Sequence, residues 1–122
     1  MGTDIIEIDR IKKLAQNHGE HFLKRVFTPE EIAFCMHRRD PWPCLAARFA
    51  AKEAVFKALQ TGVTAWQEVE VRGGGDRPVQ IALTGATRQI ARARGVANVL
   101  LSIAHDRGRA VAFATALGGE VS

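Results

Sequence analysis

The sequence predicts an α+β domain in which helices pack on a small antiparallel sheet, because the two halves of the chain have different periodicities. In the first half, apolar residues recur at helical spacing, and residues 45–60 contain neither proline nor glycine. In the second half, apolar and polar residues alternate, as in half-buried strands. The chain has 122 residues, of which 47% are hydrophobic and 25% charged, so we expect residues 1–122 to form a single domain.

Two helices are predicted before the long helical segment. The first follows Asp4 and ends near residues 17–19, because apolar residues recur at helical spacing between these points. The second begins at Thr28, which can cap it, and extends to about Arg39. Glu31 completes a capping box with Thr28, so we assign Glu31 a structural role.

The long helix comes next, and the chain then changes to strand periodicity. Val69 and Val71 alternate with polar residues, and a second alternating run follows the glycine-rich turn at 73–76, which predicts a hairpin. That turn lacks the Gly-Lys-Ser/Thr ending of a phosphate loop. The remaining predicted elements are a long helix, a hairpin, a short basic helix and two strands joined by a turn (residues 45–60, 69–83, 86–94, 99–103 and 110–117).

Net charge indicates the kind of partner to expect, and the cysteine content bears on the cell compartment. The net charge is +4, which favours an acidic or phosphorylated partner. The sequence has no run of 18 apolar residues, and its acidic start is unlike a signal peptide, so we expect a cytoplasmic protein without a membrane span. In that reducing compartment Cys35 and Cys44 are predicted to be free thiols. A zinc site of these two with His37 is not favoured, because the spacing matches no standard pattern.

One acid near the start and an acid–lysine pair on the long helix could carry chemistry. Glu53 and Lys57 lie one turn apart, and Asp4 close to them would give a site for Mg²⁺ and a diphosphate. Each also has a structural interpretation. Asp4 could be a helix N-cap, Glu53 and Lys57 a surface salt bridge, and His105 an ordinary turn histidine.

Blocks of sequence along nearly the whole chain resemble a known family. They are Gly-x-Asp-Ile-x-Glu-Ile-x-Arg-Ile from Gly2, Phe-Thr-Pro-Glu-Glu from Phe27, Arg-Phe-Ala-Ala-Lys-Glu-Ala-x-x-Lys from Arg48, Gly-x-x-Pro from Gly75 and Ser-Ile-Ala-His-Asp from Ser102. In this order they resemble the small class of 4′-phosphopantetheinyl transferases, the holo-(acyl-carrier-protein) synthase family. Each block alone is weak, and the specificity lies in their combination.

The resemblance implies a reaction and an assembly. The family transfers the 4′-phosphopantetheine arm of coenzyme A to a serine of apo acyl carrier protein, with Mg²⁺, for fatty acid biosynthesis, and it releases adenosine 3′,5′-bisphosphate. It also implies a homotrimer with active sites at subunit interfaces, a closed cyclic arrangement. Neither nucleic acid nor a membrane is an expected partner.

The resemblance also assigns the site residues. Asp4 and Glu53 match the metal ligands; Ile6 stands where some larger relatives have a further acid, so only two carboxylates are expected. The implied coenzyme A contacts are Arg48, Lys52, Lys57, Gly62 and His105. Those implied in catalysis are Glu53, Lys57 and His105, with Asp106 a lesser candidate beside His105. The general base stays open between a metal-bound water, Glu53 and His105.

Basic residues dominate the first helical region, with seven Lys or Arg between Arg10 and Arg39 against three Glu. A solvated helix face is the ordinary explanation of such a run. The resemblance implies instead that an acidic acyl carrier protein docks there, with Arg10, Phe22 and Arg25 as the contacts.

The chain departs from the family pattern at its start, where a few more residues usually precede Gly-x-Asp and form a first strand. Here Gly2 follows Met1, so either the start of the chain is placed too late or the first strand is very short, and both put the packing behind Asp4 in question. Two alternatives therefore stay open, a nucleic-acid binder and a carrier-binding protein without activity. The first leaves Asp4 and Glu53 unexplained and lacks stacking aromatics. Mg²⁺-dependent binding of coenzyme A distinguishes the enzyme from the nucleic-acid binder.

Overall fold

Helices fill most of the first half of the chain and strands most of the second, which confirms the predicted α+β class. The computed structural model describes residues 1–119. Its elements in chain order are β1 Gly2–Glu7, α1 Ile8–His18, α2 Glu20–Val26, α3 Pro29–Met36, α4 Trp42–Ala58, β2 Val69–Gly74, β3 Arg77–Leu83, α5 Gly85–Ala93, β4 Val96–His105 and β5 Arg109–Gly118. A short 3-10 helix at Trp66–Glu68 precedes β2. No helix within this range has the length and apolar character needed to cross a membrane.

Helix α4 lies at the centre of the fold. Of its 17 residues, 13 are buried, and it packs against β1, β5, α1 and α3. A helix that is apolar on all sides is stable only when it is surrounded in this way. It begins at Trp42, three residues before the predicted start at Leu45, because Pro43 is well accommodated in the first turn of a helix.

The strands form two antiparallel sheets, β1-β5-β4 and the predicted hairpin β2-β3. Ala110, Ala112 and Ala114 of β5 are fully buried on the sheet face toward α4, so their small side chains let the helix approach closely. The approach is closest at Gly2, where a Cβ atom would lie 2.0 Å from the carbonyl oxygen of Ala54. Any side chain at Gly2 would push β1 away from α4.

The start of the chain corrects two sequence-based predictions. All six residues of β1 pair with β5, from Gly2 opposite Ala114 to Glu7 opposite Arg109, so the first strand is not very short. The first helix begins at Ile8, and Asp4 lies in the strand rather than at a helix N-cap. The helical spacing of the isoleucines was misleading, because pairing with a strand some 100 residues later determines the local conformation.

The outer face of the three-stranded sheet is apolar and exposed. Four large side chains on it are 40–61% exposed, and they come from all three strands (Ile5, Leu100, Phe113 and Leu117). They occupy the positions that alternate with the buried alanines of β5 and their partners. An apolar patch of this kind marks an interaction surface more often than a solvated one.

The cysteines are joined, which corrects the predicted free thiols. Cys35 near the end of α3 and Cys44 near the start of α4 form a disulfide with a Cα–Cα distance of 5.5 Å. The chain reverses between the two helices, so residues nine apart in sequence come together in the core. Composition and compartment alone did not indicate this proximity.

The remaining helices follow the sequence with small differences. The capping box is present, with the Glu31 side chain accepting from the Thr28 amide and the Thr28 hydroxyl accepting from the Glu31 amide. Its helix ends at Met36, before the predicted Arg39. The predicted basic helix is α5. Helix α2 was not predicted, because its seven residues are too few to establish a period.

Candidate functional site

An acid–lysine cluster lies where β1 crosses α4, and we call Asp4, Glu53 and Lys57 the acidic half-site. The Lys57 ammonium is 3.1 Å from the Asp4 carboxylate and 3.1 Å from the carbonyl oxygen of Thr3. The Asp4 side chain is 17% exposed and that of Lys57 is 53% exposed, so the cluster opens to solvent through the lysine. The fold thus joins residues about fifty positions apart in the sequence.

The electrostatics of Glu53 fit a cation site. Burial raises the pKa of the Glu53 carboxyl above its ordinary value, and the negative charge of Asp4 raises that pKa further. The charges of Lys57 and Arg10 act in the opposite direction. Two neighbouring carboxylates of this kind favour a positive ion between them, and hard oxygen donors suit Mg²⁺. Among residues 1–119, no group of three or more His, Cys, Asp or Glu side chains is placed to hold a metal.

A second feature is a cavity of about 720 Å³ between β3, β4 and the junction of α3 with α4. We call it the arginine cavity, because Arg38, Arg48 and Arg77 line it together with Ser102 and His105. Apolar side chains from β3, β4 and α4 also line it, and Asp40 adds one acidic group. Its size and its few polar groups among apolar ones are typical of sites for small organic ligands.

Arg48 is a buried charge at the wall of this cavity. It is only 2% exposed, its Nη2 donates to the Gly73 carbonyl at 2.8 Å, and its guanidinium lies 4.3 Å from the centroid of the Phe34 ring. Burial lowers the pKa of the guanidinium from its ordinary value. Its Nε has no hydrogen-bond partner among the residues described. A buried donor without a partner is rare, and here the Nε itself is closed off from the cavity, so Arg48 offers the cavity positive charge rather than this donor.

Sequence reasoning missed Arg38 and Arg77 at this cavity. The guanidinium of Arg38 lies 4.9 Å from the centroid of the Phe34 ring, on which Arg48 also packs. Arg77 opens β3, next to the Pro78 of the family block. That block was the only signal available, because no periodicity brings these arginines together.

Lys52 is in the core rather than at a site. Its side chain is 0% exposed, and its ammonium lies 2.7 Å from the Glu31 carboxylate, which is itself fully buried. It also donates to the carbonyls of Trp66 and Val69, while the other Glu31 oxygen accepts from the Val71 amide. The coenzyme A contact at Lys52 therefore stays a prediction from the resemblance alone, and its internal hydrogen bonds argue for a structural role.

The other predicted coenzyme A and catalytic residues are dispersed. His105 ends β4 at the rim of the arginine cavity and is exposed. In the strand order β1-β5-β4, β5 separates it from Asp4, so one chain does not join it to the acidic half-site. Gly62 lies in the loop after α4. Asp106 shapes the turn before β5, since its carboxylate accepts from the amides of Gly108 and Arg109.

The three predicted carrier contacts lie on α1 and α2. Arg10 is exposed on α1, and its charge partly opposes the rise in the pKa of the Glu53 carboxyl. Phe22 and Arg25 are on α2, where Phe22 packs edge-on against Phe27 with ring centroids 6.2 Å apart. His21, Lys24 and Arg25 share a shallow groove on this helix. The basic helix surface therefore begins beside the acidic half-site, at Arg10.

Known proteins match this chain over nearly its whole length. A family model described as the 4′-phosphopantetheinyl transferase superfamily matches residues 1–114. The holo-(acyl-carrier-protein) synthase of Desulforudis audaxviator is 47% identical over 121 residues, covering 97% of this chain and 92% of the relative. That of Chlamydia trachomatis serovar L2 is 46% identical over 119 residues, covering 95% of this chain and 97% of the relative.

Solved structures agree with the fold. The crystal structure of holo-(acyl-carrier-protein) synthase from Neisseria meningitidis has a TM-score of 0.86 and 30% identity, covering 95% of each chain. The synthase from Helicobacter pylori, in complex with coenzyme A, has a TM-score of 0.82 and 28% identity, covering 95% of this chain and 98% of the other. On these matches, the chain belongs to the 4′-phosphopantetheinyl transferase superfamily.

Proposed function

We propose that this chain, acting through a single domain of residues 1–122, is a holo-(acyl-carrier-protein) synthase. It transfers 4′-phosphopantetheine from coenzyme A to a serine of apo acyl carrier protein in fatty acid biosynthesis, releasing adenosine 3′,5′-bisphosphate. The observation that carries the proposal is the pairing of Asp4 with Glu53 beside Lys57, in a fold that also holds a cavity lined by three arginines. Relatives bearing this name support it, as do structural neighbours solved with coenzyme A.

The acidic half-site would hold Mg²⁺ through Asp4 and Glu53. When bound, the ion neutralises charge on the diphosphate and on the leaving group. Lys57 adds a positive charge at the same place, since its ammonium lies 3.1 Å from the Asp4 carboxylate and its side chain is 53% exposed. Phosphoryl transfer needs positioning and charge neutralisation more than covalent help from the protein, and two carboxylates with one lysine supply those.

The arginine cavity would take the nucleotide part of coenzyme A. Arg38 and Arg77, which are exposed, would donate to phosphate oxygens, and the buried Arg48 would add positive charge behind them. His105 stands at the same rim and would contact the nucleotide. The general base for the carrier serine stays open between a metal-bound water, Glu53 and His105.

A homotrimer would join the two parts of the site. Within one chain, β5 lies between the acidic half-site and His105 and keeps them apart. The outer face of the same sheet is apolar and exposed. Packing that face around a threefold axis would bury Ile5, Phe113 and their neighbours, and place the arginine cavity of one copy near the acidic half-site of the next. Light scattering tests this: wild type should have three times the chain mass, and Phe113→Asp should be smaller.

The basic surface on α1 and α2 would bind the acidic carrier protein through Arg10, Phe22 and Arg25. We place this reaction in the cytoplasm. The alternative of a carrier-binding protein without activity depended on a missing first strand. Strand β1 has six paired residues, so that reason no longer applies.

The test of the proposed function is the intact mass of apo acyl carrier protein after incubation with this chain, coenzyme A and Mg²⁺. We expect a gain of one phosphopantetheine arm, lost with EDTA and in Asp4→Asn and Glu53→Gln. Arg72→Ala is the matched control, because the exposed Arg72 side chain makes a salt bridge to Glu70 on β2, away from both parts of the site. No gain with folded wild type and several apo carriers would refute the proposal.

A further inference from the structure

The disulfide between α3 and α4 lies at the wall of the arginine cavity, and its two cysteines have different surroundings. Cys44 is 8% exposed and lines the cavity, whereas Cys35 is 0% exposed and packs in the core. Thiol–disulfide exchange depends on access of the reagent to a sulfur atom. Of the two, Cys44 is therefore the cysteine that a reagent in the cavity can meet.

The position of Cys44 on α4 favours its thiolate once the disulfide is open. Cys44 is in the first turn of a helix that begins at Trp42, where unpaired amide groups carry partial positive charge. One turn further along the helix, Nη1 of Arg48 lies 3.8 Å from the Cys44 sulfur. A helix N-terminus and a neighbouring guanidinium both make a cysteine more reactive, because the thiolate is the nucleophile.

The charges around the cavity select among reagents. Three arginines line it against one aspartate, which leaves an excess of positive charge beside Cys44 (Arg38, Arg48, Arg77 and Asp40). A cleft lined mainly by one sign of charge concentrates ligands of the opposite sign and raises their on-rates by about tenfold or more. With a volume of about 720 Å³, the cavity has room for a small organic anion.

We propose that Cys44 is an exchange site for anionic low-molecular-weight thiols and their disulfides, with Cys35 as the resolving cysteine. In the reduced chain, the Cys44 thiolate attacks the disulfide of such a thiol, which forms a mixed disulfide at Cys44 and releases one small thiolate. Cys35, whose Cα lies 5.5 Å from that of Cys44, then loses its proton and attacks the Cys44 sulfur. This second step forms the internal disulfide and releases the second small thiolate.

The exchange is balanced, because the two cysteines lose two electrons and the small disulfide gains them as it becomes two thiols. The reverse sequence opens the internal disulfide, beginning with attack of a small thiolate on the Cys44 sulfur. The site goes beyond the proposed function, since neither coenzyme A nor a carrier protein is needed to detect it.

The test uses Cys35→Ala, in which the mixed disulfide at Cys44 cannot be resolved and stays on the protein. The probes are the disulfides of mercaptoethanesulfonate, mercaptoethanol and cysteamine, which carry negative, no and positive charge. Intact mass gives each rate of adduct formation, which is divided by the rate of the same probe with an uncharged cysteine derivative. We expect the anionic probe to react about tenfold faster than the neutral one at low salt, and the cationic probe to be slowest. Added salt should reduce the difference.

Matched variants separate the cysteine from the charge. Cys44→Ala keeps the buried Cys35 and should form no adduct while it is folded, as judged by circular dichroism. Arg77→Gln in the Cys35→Ala background should lower the preference for the anionic probe, because it removes charge from the cavity. Arg88→Gln in the same background has the same net charge but lines a different groove, so it should keep that preference.

Three results would overturn the inference. They are a folded Cys35→Ala protein that forms no adduct, equal normalised rates for the anionic and neutral probes, and adduct formation on folded Cys44→Ala. Failure of the proposed function is separate, because it would appear as wild type that transfers nothing to a carrier protein and would leave these rates unchanged.

Discussion

Replacing Lys52 tests whether this lysine belongs to the core or to a coenzyme A site. In Lys52→Met the buried ammonium disappears, and the Glu31 carboxylate loses its ion pair at 2.7 Å while staying 0% exposed. Removing one partner of a buried pair costs about 3–5 kcal/mol, because the other charge stays buried without compensation. Glu31 keeps its bonds from the amides of Thr28 and Val71, so we expect the lower end, about 3 kcal/mol.

The size of this loss makes it easy to measure. A domain has a total stability of about 5–15 kcal/mol, so Lys52→Met should unfold at a temperature roughly 10 °C lower than wild type. The double variant Lys52→Met/Glu31→Gln should be more stable than the single one, since no buried charge remains. Chemical denaturation of these three proteins and of the Glu31→Gln single variant gives the coupling free energy between the two residues.

Kinetics of the same variants complete the test. At a temperature where Lys52→Met is folded, its KM for coenzyme A should equal that of wild type, because Lys52 does not reach solvent. Lys57→Met on the same helix is the contrasting control: its 53% exposed side chain predicts a small change in stability and a large loss of transfer. Unchanged stability of Lys52→Met with a raised KM for coenzyme A would refute the assignment to the core.

Three further predictions concern the strand, the carboxylates and the disulfide. Gly2→Ala should lower stability by about 1–3 kcal/mol and also reduce transfer, because the new Cβ would meet the Ala54 carbonyl and push β1 from α4. In the folded, metal-free protein the pKa of Glu53 is raised, so the folded state holds this proton more tightly than the unfolded state does. The free energy of unfolding should therefore fall as pH rises through that pKa. Glu53→Gln should therefore melt at the same or a higher temperature than metal-free wild type at pH 7, and Mg²⁺ should stabilise only wild type. Reduction of the Cys35–Cys44 disulfide, which closes a short loop, should lower stability by about 2–3 kcal/mol.

Each of these has a control and a contradicting result. Gly62→Ala, where a Cβ would meet nothing within 4 Å, should melt like wild type, and a Gly2→Ala variant that also does so would contradict the packing argument. Equal stabilisation of Glu53→Gln by Mg²⁺ would place the cation elsewhere. For the disulfide, a Cys35→Ser/Cys44→Ser variant should be insensitive to reductant, and equal stability of oxidised and reduced wild type would contradict the prediction.

Local patterns predicted much of the fold. The capping box between Thr28 and Glu31 involves residues three apart, and the alternation of Val69 and Val71 follows from one sheet face being buried. Signals of this range are present in the sequence itself. The same is true of the Glu53–Lys57 pair, which follows from helical spacing.

Long-range contacts determined what the sequence did not predict. The conformation of Asp4 depends on pairing with Ala112, and the role of Lys52 depends on Glu31 in another helix. Arg38 and Arg77 line the same cavity only because the hairpin folds back toward the junction of α3 and α4. The motif around Lys52 looked functional, and only a three-dimensional partner distinguishes a buried lysine from a phosphate-binding one.

The most direct test of the account mixes two inactive variants. Glu53→Gln lacks the acidic half-site and His105→Ala lacks a residue of the arginine cavity, so each alone should transfer little phosphopantetheine to the carrier protein. If the two parts come from neighbouring copies, reassembling the variants in equal amounts leaves about a quarter of the sites with both halves intact, so about a quarter of wild-type activity returns. Activity no higher than the two separate variants would contradict a site shared between copies of this chain.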